Sequence, residues 1–313
     1  MSKVTVVVPI YNGERFLAKT IESVLNQTFS DWTLYIVNDG SSDSSEEIAY
    51  NYRFDKRVKY FSQPNRGVAN TRNVALFEST DEYLALLDQD DIWYKDKLSI
   101  QVDVLNSDTS LGFVHGEVDC IGPDDEKITC NGKMWVGKYK GWCLNDLLTV
   151  NGVAPLTVLA RRKAMLACGG FSQQRAPADD WDMWLRLARV HPVGYTSIPI
   201  GAYRVHESNE SRKILKMRLA EIAVLTAFLI DFSGDTFPAD RAVIDRKLSW
   251  LLGDAARLSA VQGGAADASR LRFQALKTRL TSRACYCDAV ASLVPGVYRR
   301  QALWYLSRLF GIT

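Results

Sequence analysis

Strand-like apolar runs alternate with helical spacing through the first 90 residues, and few architectures accommodate that order. Val4 to Ile10 is apolar and rich in β-branched residues, which predicts a strand buried on both faces and so paired in parallel. Tyr11-Asn12-Gly13 breaks the run, and Asn12 is placed to cap the next helix. That helix carries Phe16, Leu17, Thr20, Ile21, Val24 and Leu25 at helical spacing. A second strand is predicted over Leu34 to Val37, ending in the turn Asn38-Asp39-Gly40-Ser41-Ser42-Asp43 that starts a helix. A third covers Val58 to Phe61 and leads through Pro64-Asn65-Arg66-Gly67 into a helix from about Ala69 to Phe77. A fourth, Tyr83 to Leu87, runs into Asp88.

This order predicts an α/β protein with a doubly wound, mostly parallel sheet and helices on both faces. Such sheets bind ligands at the carboxyl ends of their strands. Tyr11, Asp39, Asp88 and Asp90 all follow predicted strand ends. Farther on, Phe113 to Ile121 and Leu156 to Ala160 read as strands, Asp180 to Val190 as a helix, and Val193 to Val205 as extended. Beyond residue 212 the chain reads as mainly helical. Residues 1–212 hold 23 Lys+Arg against 28 Asp+Glu, whereas 213–313 hold 15 against 8. The change of sign predicts two domains, 1–212 with the polar strand ends and 213–313 as a basic helical extension.

Asp88-Gln89-Asp90-Asp91 crowds three carboxylates at the end of a strongly apolar strand. Side chains two apart on an extended chain point the same way, so Asp88 and Asp90 can share a target. Hard divalent ions, Mg²⁺ or Mn²⁺, take such oxygen ligands and bridge to phosphate. The plainer reading is an acidic turn that caps the helix near Lys97.

Six segments then occur in order: Val7-Val8-Pro9-Ile10-Tyr11-Asn12, Val37 to Asp43, Arg66 to Asn73, Leu87 to Asp91, Asp179 to Arg186, and Tyr203-Arg204-Val205-His206. Together they resemble the family 2 glycosyltransferases of the GT-A fold, over roughly residues 3–210. The resemblance implies sugar transfer, with inversion, from a nucleotide-diphosphate donor to a hydroxyl of a glycan or lipid-linked acceptor, as in bacterial surface polysaccharide synthesis. Pro9 and Tyr11 resemble the turn that holds the nucleobase, with Glu14 close by. Asp39 resembles the carboxylate that accepts the N3–H of uracil, which favours a UDP-sugar. Arg66 and Arg72 would approach the donor phosphates, since guanidinium matches phosphate oxygens. Asp88 would meet the ribose or nucleotide side. Asp90 and His206 would bind the metal, and Asp91 would orient the turn or face the donor sugar.

The resemblance also supplies a base. Asp180 lies near the start of an amphipathic helix, whose positive end would keep the carboxylate ionised to take a proton from the acceptor. The family usually has Glu-Asp where this chain has Asp179-Asp180, and Asp179 would face the donor sugar or the acceptor. Trp181 is either a core anchor or a sugar platform, and its spacing with Trp184 and Leu185 favours the core. Only one well-placed base is evident, which favours a single displacement.

Other classes fit less well. A metal-dependent nucleotidyltransferase would show a Gly-rich basic loop where Tyr11-Asn12-Gly13-Glu14 stands. A dinucleotide oxidoreductase needs G-x-G-x-x-G after the first strand. A non-catalytic nucleotide-sugar binding module would not need both the acidic cluster and Asp180. Nothing in the charge pattern points to nucleic acid. Six cysteines without metal-like spacing predict reduced thiols, and the absence of a signal-peptide pattern predicts a cytoplasmic protein. From Arg270 to Arg308, eight Lys/Arg stand against one acid, and Arg299, Arg300 and Arg308 interleave with aromatics and leucines. That tail suits the inner face of the cytoplasmic membrane or a homodimer contact.

Overall fold

The computed structural model describes residues 4–130, 137–231 and 238–279. The chain divides into two compact units, Met1–Arg212 and Lys213–Thr313. In order, the elements of the first unit are β1 (Val4–Ile10), α1 (Leu17–Leu25), β2 (Trp32–Asn38), α2 (Ser45–Asn51), β3 (Val58–Ser62), α3 (Val68–Glu78), β4 (Tyr83–Leu86), β5 (Ile92–Trp93), α4 (Lys97–Ser107), β6 (Phe113–Ile121), β7 (Lys127–Ile128), α5 (Leu144–Thr149), β8 (Leu159–Arg161), α6 (Arg162–Ala167), α7 (Asp179–Val190) and β9 (Val193–Arg204).

The strands form one mixed sheet in the order β3-β2-β1-β4-β8-β6-β9-β5, with β7 paired to β6. β1 pairs in parallel with β2 and β4, and β2 with β3. All seven residues of β1 are buried, as a strand covered on both faces requires. The chain winds outward from β1 to β2 and β3, then returns to place β4 on the other side of β1. That reversal opens a crevice at the carboxyl ends of β1 and β4, where such sheets take their ligands. β8 is antiparallel to β4, and β6 and β9 pair in parallel with a bulged register. β9 therefore delivers Arg204 to the end of the sheet that carries the β1–β4 crevice.

The core lies between sheet and helices. Leu17, Ile21 and Val24 of α1 and Leu98, Val102 and Leu105 of α4 pack into one cluster with Val4, Val6, Val8, Leu34 and Ile36. Full burial of each such side chain contributes about 1.5–3 kcal/mol. On α7, Trp181 and Trp184 are fully buried, and Trp184 lies 5.3 Å from the Phe113 ring. The Trp181 indole N–H donates to the Leu147 carbonyl at 2.9 Å. Trp181 is thus a core anchor, and a sugar platform is ruled out by its burial.

Two local expectations are corrected. Asn12 does not cap α1, which begins after Phe16 without a side-chain cap. Asn12 instead adopts φ 51° and its side-chain oxygen accepts the Ser42 N–H at 2.8 Å, tying the loop after β1 to the loop after β2. Cys120 and Cys130 form a disulfide, with Cα atoms 5.4 Å apart, where reduced thiols were expected. The β6–β7 hairpin sets Cys120 opposite Ile128 and brings the two cysteines within bridging range. Spacing along the chain carries no sign of that hairpin. Cys143 and Cys168 are free thiols. Cys285, Cys287 and the basic tail 290–313 lie outside the described residues.

In the second unit, α8 (Ile214–Asp231), α9 (Pro238–Val261) and α10 (Ala265–Arg279) pack together, with α9 in the middle. Val224, Leu225 and Phe228 of α8 and Ile244, Leu248 and Leu251 of α9 are buried. Arg218 bridges α8 to Asp254 of α9 at 3.0 Å. Among the described residues, no helix is long and apolar enough to cross a membrane.

Candidate active site

The acidic segment turns immediately after β4 and is held from three sides. The Gln89 side-chain amide pairs with the Tyr11 backbone twice, accepting from its N–H at 2.8 Å and donating to its C=O at 3.0 Å. On α1, the Thr20 hydroxyl lies 2.8 Å from the Gln89 carbonyl and 2.9 Å from that of Asp91. At the end of β9, the Arg204 N–H donates to the Asp91 carboxylate at 2.9 Å, and its Nε donates to the Asp90 carbonyl at 2.8 Å. Arg204 is fully buried, with its other end on the Gly122 carbonyl and Asp125, and its guanidinium over the Phe16 ring.

This scaffold sorts the three acids. Asp91 is 1% exposed and turned inward. Burial, then Asp90 and Asp88, hold its carboxyl well above the ordinary range. Asp91 therefore orients the turn, and its burial removes it from direct contact with a donor sugar. Asp88 and Asp90 remain partly open. The Asp90 Oδ2 lies 2.8 Å from the His206 Nε2, across 116 residues of chain. The other ring nitrogen of His206 meets the Ser208 hydroxyl at 2.8 Å.

A carboxylate and an imidazole nitrogen that converge at a half-open position suit a hard divalent cation which takes its remaining ligands from phosphate and water. Among the described residues, no set of three His, Cys, Asp or Glu forms a complete metal cage. Asp90 and His206 thus place an oxygen and a nitrogen donor side by side, and a cation here would need ligands from elsewhere.

Arg72 has a different place from the one expected. It is 4% exposed on α3, with one terminal nitrogen on Asp88 at 2.9 Å and the other on Asp179 at 2.9 Å. Burial opposes its charge, but Asp88, Asp179 and Asp180 outweigh it and raise its pKa. Both ends of its fork are taken by carboxylates, so direct phosphate binding is corrected to an internal bridge. Arg66 is the exposed guanidinium of the pair, and its side chain meets no partner among the described residues.

Asp179 is completely buried, which excludes contact with a sugar. Burial raises its pKa against the pull of Arg72. Asp180 follows in the first turn of α7, 8% exposed. The helix is capped by Ala178, so Asp180 is not its N-cap. Its carboxylate accepts the Trp181 N–H at 2.7 Å. Burial, then Asp179, push its pKa up to about 7 against the pull of Arg72. The positive helix end was expected to keep this group ionised; desolvation is the larger effect. A carboxyl group poised near neutrality is well matched to take a proton.

Around the crevice, Tyr11 presents a ring that is 49% exposed, and Pro9 is buried in β1 beside Val37. Glu14 does not reach toward a ligand: its Oε2 accepts the Ser44 N–H at 2.9 Å, at the start of α2. Asp39 is 4% exposed, and its oxygens accept from the Arg66 and Gly67 N–H groups, both at 2.8 Å, and from the Gln63 amide at 2.7 Å. It secures the entry to α3, where Gly67 takes φ 87°, a left-handed conformation that glycine adopts without penalty.

Gln89 and Arg204 are the organising residues that sequence reasoning passed over. Both lie inside recognised motifs. The sign for Arg204 is a lone arginine in an extended apolar stretch just before His206. For Gln89, no sign exists short of knowing that β1 and β4 are neighbours.

Residues 5–144 match the family model described as Glycosyl transferase family 2. An uncharacterized glycosyltransferase of Rickettsia bellii is 26% identical over 66% of this chain, and the match spans 29% of that protein. An E. coli protein named UDP-Glc:alpha-D-GlcNAc-diphosphoundecaprenol beta-1,3-glucosyltransferase WfgD is 28% identical over 72% of this chain and 86% of its own length. The match spans only about a third of the Rickettsia relatives' own length, 29–35%. In fold, the chain resembles S. aureus TarS 1-349 in complex with UDP-GlcNAc, with a TM-score of 0.62, 17% identity, and coverage of 98% of this chain and 90% of that one. It also resembles the mannosyltransferase PcManGT of Pyrobaculum calidifontis in complex with GDP-Man and Mn²⁺, with a TM-score of 0.61, 17% identity, and coverage of 99% and 88%. Over residues 5–144 the chain matches glycosyltransferase family 2, and its fold resembles that of TarS and PcManGT.

Proposed function

We propose that the chain transfers a sugar from a UDP-sugar to a hydroxyl of a glycan or lipid-linked acceptor, with inversion at the anomeric carbon. The observation that carries this reading is the position of Asp180: a buried carboxyl near neutral pKa in the turn that Arg72 ties to Asp88 at the β4 end. Asp180 takes the proton of the acceptor hydroxyl. The acceptor oxygen bonds to the anomeric carbon from the face opposite the diphosphate, and the bond from that carbon to the diphosphate oxygen breaks. Asp90 and His206 would hold Mn²⁺ or Mg²⁺, which when bound offsets negative charge on the diphosphate. Arg66 is the side chain open to the phosphates, and the Tyr11 ring is the open face for the base. Asp39 already accepts three hydrogen bonds, so the preference for uracil leans on the similarity to WfgD, whose name specifies UDP-Glc. Contacts of the basic segment 213–313 with acceptor, membrane surface or a second copy belong to the same proposal.

Thermal shift with UDP-, dTDP- and GDP-sugars in Mn²⁺ tests the donor. A UDP-sugar is expected to give the largest rise in Tm, and a larger rise with a GDP-sugar would overturn the uracil assignment. A second measurement probes the crevice. A Cβ at Gly13 would collide with the Gln89 amide, which its two bonds to Tyr11 keep from yielding. Gly13→Ala is expected to weaken UDP binding by about tenfold, or 1.4 kcal/mol, measured by calorimetry. Unchanged affinity would mean that the Tyr11 loop does not shape the nucleotide site.

A further inference from the structure

We propose that Arg72 is a positioning residue that couples the nucleotide end of the site to the base, holding Asp88 at the tip of β4 with one nitrogen and Asp179 at the first turn of α7 with the other. The inference rests on the reading of Asp180 as the base.

Three observations carry it. First, the bridge joins two segments far apart in the chain: Asp88 is 16 residues from Arg72, and Asp179 is 107. Second, the Asp179 end of the bridge is buried: Arg72 is 4% exposed and Asp179 0%, so water does not stand in for Asp179, while the Asp88 end is partly open toward the site. Third, it is minimally supported elsewhere: the Nε of Arg72 and the Oδ1 of Asp179 have no hydrogen-bond partner. This guanidinium is therefore the direct link of the first turn of α7 to the end of β4, beside the Asn73 bonds that tie α3 to Phe171 upstream of α7. An arginine suits the task because its planar fork reaches two carboxylates at once, which an ammonium on a single stem does not.

The same bridge sets the proton affinity of the base. The charged groups that bear on Asp180 are Asp179 beside it on α7, Arg72 from α3 and Asp88 from the end of β4. Of these charges only Arg72 favours the ionised form, aided by the Trp181 N–H that the carboxylate accepts. Without Arg72, Asp179 and Asp180 stand buried side by side with Asp88 nearby, and like charges in low dielectric force a proton onto one of them. A site that lost Arg72 would hold its base protonated at neutral pH, and the acceptor would find no proton acceptor. Asp179 then has a role that its burial denies it as a sugar ligand: it is the anchor through which Arg72 reaches α7.

The test reads Asp180 directly and needs no substrate. In the full chain labelled with ¹³C at aspartate carboxyl carbons, the resonance that disappears in Asp180→Asn is followed from pH 4 to 9. The parent midpoint is expected near 7. Arg72→Gln is expected to raise it by about one pH unit or more, and Asp179→Asn to lower it by a similar amount. Arg72→Lys keeps the charge and is expected to hold the midpoint close to the parent's. A midpoint that stays put in Arg72→Gln overturns the proposal. If Arg72→Gln does not fold, Asp179→Asn decides, and an unmoved midpoint there overturns it too. Turnover separates this inference from the reading it rests on. Retained turnover in Asp180→Asn overturns the base assignment, whereas lost turnover with immobile midpoints overturns the role of Arg72 alone.

Discussion

Asp180→Asn is expected to abolish sugar transfer and to stabilise the fold at the same time. A positioned general base contributes about 10²–10⁴-fold, so a loss of roughly 10³ in kcat is expected. The stability gain follows from the sign of the pKa change. Asp180 is raised from an ordinary value of 3.8 to about 7, so the folded state prefers its protonated form. The cost of ionising it in the fold is absent below pH 4, grows as pH rises, and is complete above pH 7, where it amounts to on the order of 4 kcal/mol. Asparagine keeps an oxygen for the Trp181 N–H and removes that cost. The Tm of Asp180→Asn should therefore exceed the parent's by several degrees at pH 8 and converge with it near pH 4. Activity of the parent should fall on the acid side of pH 7, as Asp180 takes up its proton. An inactive variant that melts lower than the parent at pH 8 would show that Asp180 supports the fold, and near-normal turnover would remove it as the base.

Asp90→Asn is the second large effect. Asp90 and His206 are the two partly open donors at the β4–β9 junction, with Oδ2 and Nε2 2.8 Å apart. Asparagine preserves a contact with His206 while removing the charge that a divalent cation needs. In the parent, Mn²⁺ is expected to strengthen UDP binding by more than about tenfold, a gain of over 1.4 kcal/mol, and EDTA to cancel that gain. In Asp90→Asn the two titrations, with and without Mn²⁺, should coincide in calorimetry. A Mn²⁺-dependent gain of the parent's size would place the metal elsewhere. Asp91→Asn makes the contrast: Asp91 faces the Arg204 N–H in the interior, where asparagine keeps an accepting oxygen, so the response to Mn²⁺ should stay close to the parent's.

The strands were legible because burial on both faces writes itself into the chain as uninterrupted apolar runs. Val4 to Ile10 and Phe113 to Ile121 are strands at those bounds, the other expected strands differ by a few residues at their ends, and the two-residue strands β5 and β7 were not anticipated. Leu156 to Ala160 is the exception, since Pro155–Thr157 forms a short 3-10 turn and β8 starts only at Leu159. The proline at its head cannot donate to a sheet, and a tight turn accommodates it.

Side-chain roles were less legible than side-chain positions. Arg72, Glu14, Asp39 and Asp91 all stand at the carboxyl end of the sheet, as expected, but each is engaged by protein. Glu14 serves the start of α2, Asp39 the entry to α3, and Asp91 the backbone of Arg204. A charged residue near a ligand site and a charged residue that builds the site look alike in a sequence. They differ in whether a partner, often 70 or more residues away, has already claimed the group. The Gln89–Tyr11 pair spans 78 residues, and the Arg204–Asp91 bond spans 113.

By itself, the order of apolar runs and polar strand ends determined the doubly wound sheet, and the six motifs pointed to the family and to the acidic turn on which the site is built. Local periodicity is enough for that, because each strand and helix reports its own burial. Tertiary structure alone decided which acids stay open and which turn inward, because desolvation and partner distance are set by neighbours that the chain brings together only on folding. It paired Asp90, still partly open, with His206, sent Asp91 to Arg204 and Asp179 to Arg72, and left Asp180 buried with a proton affinity near neutrality.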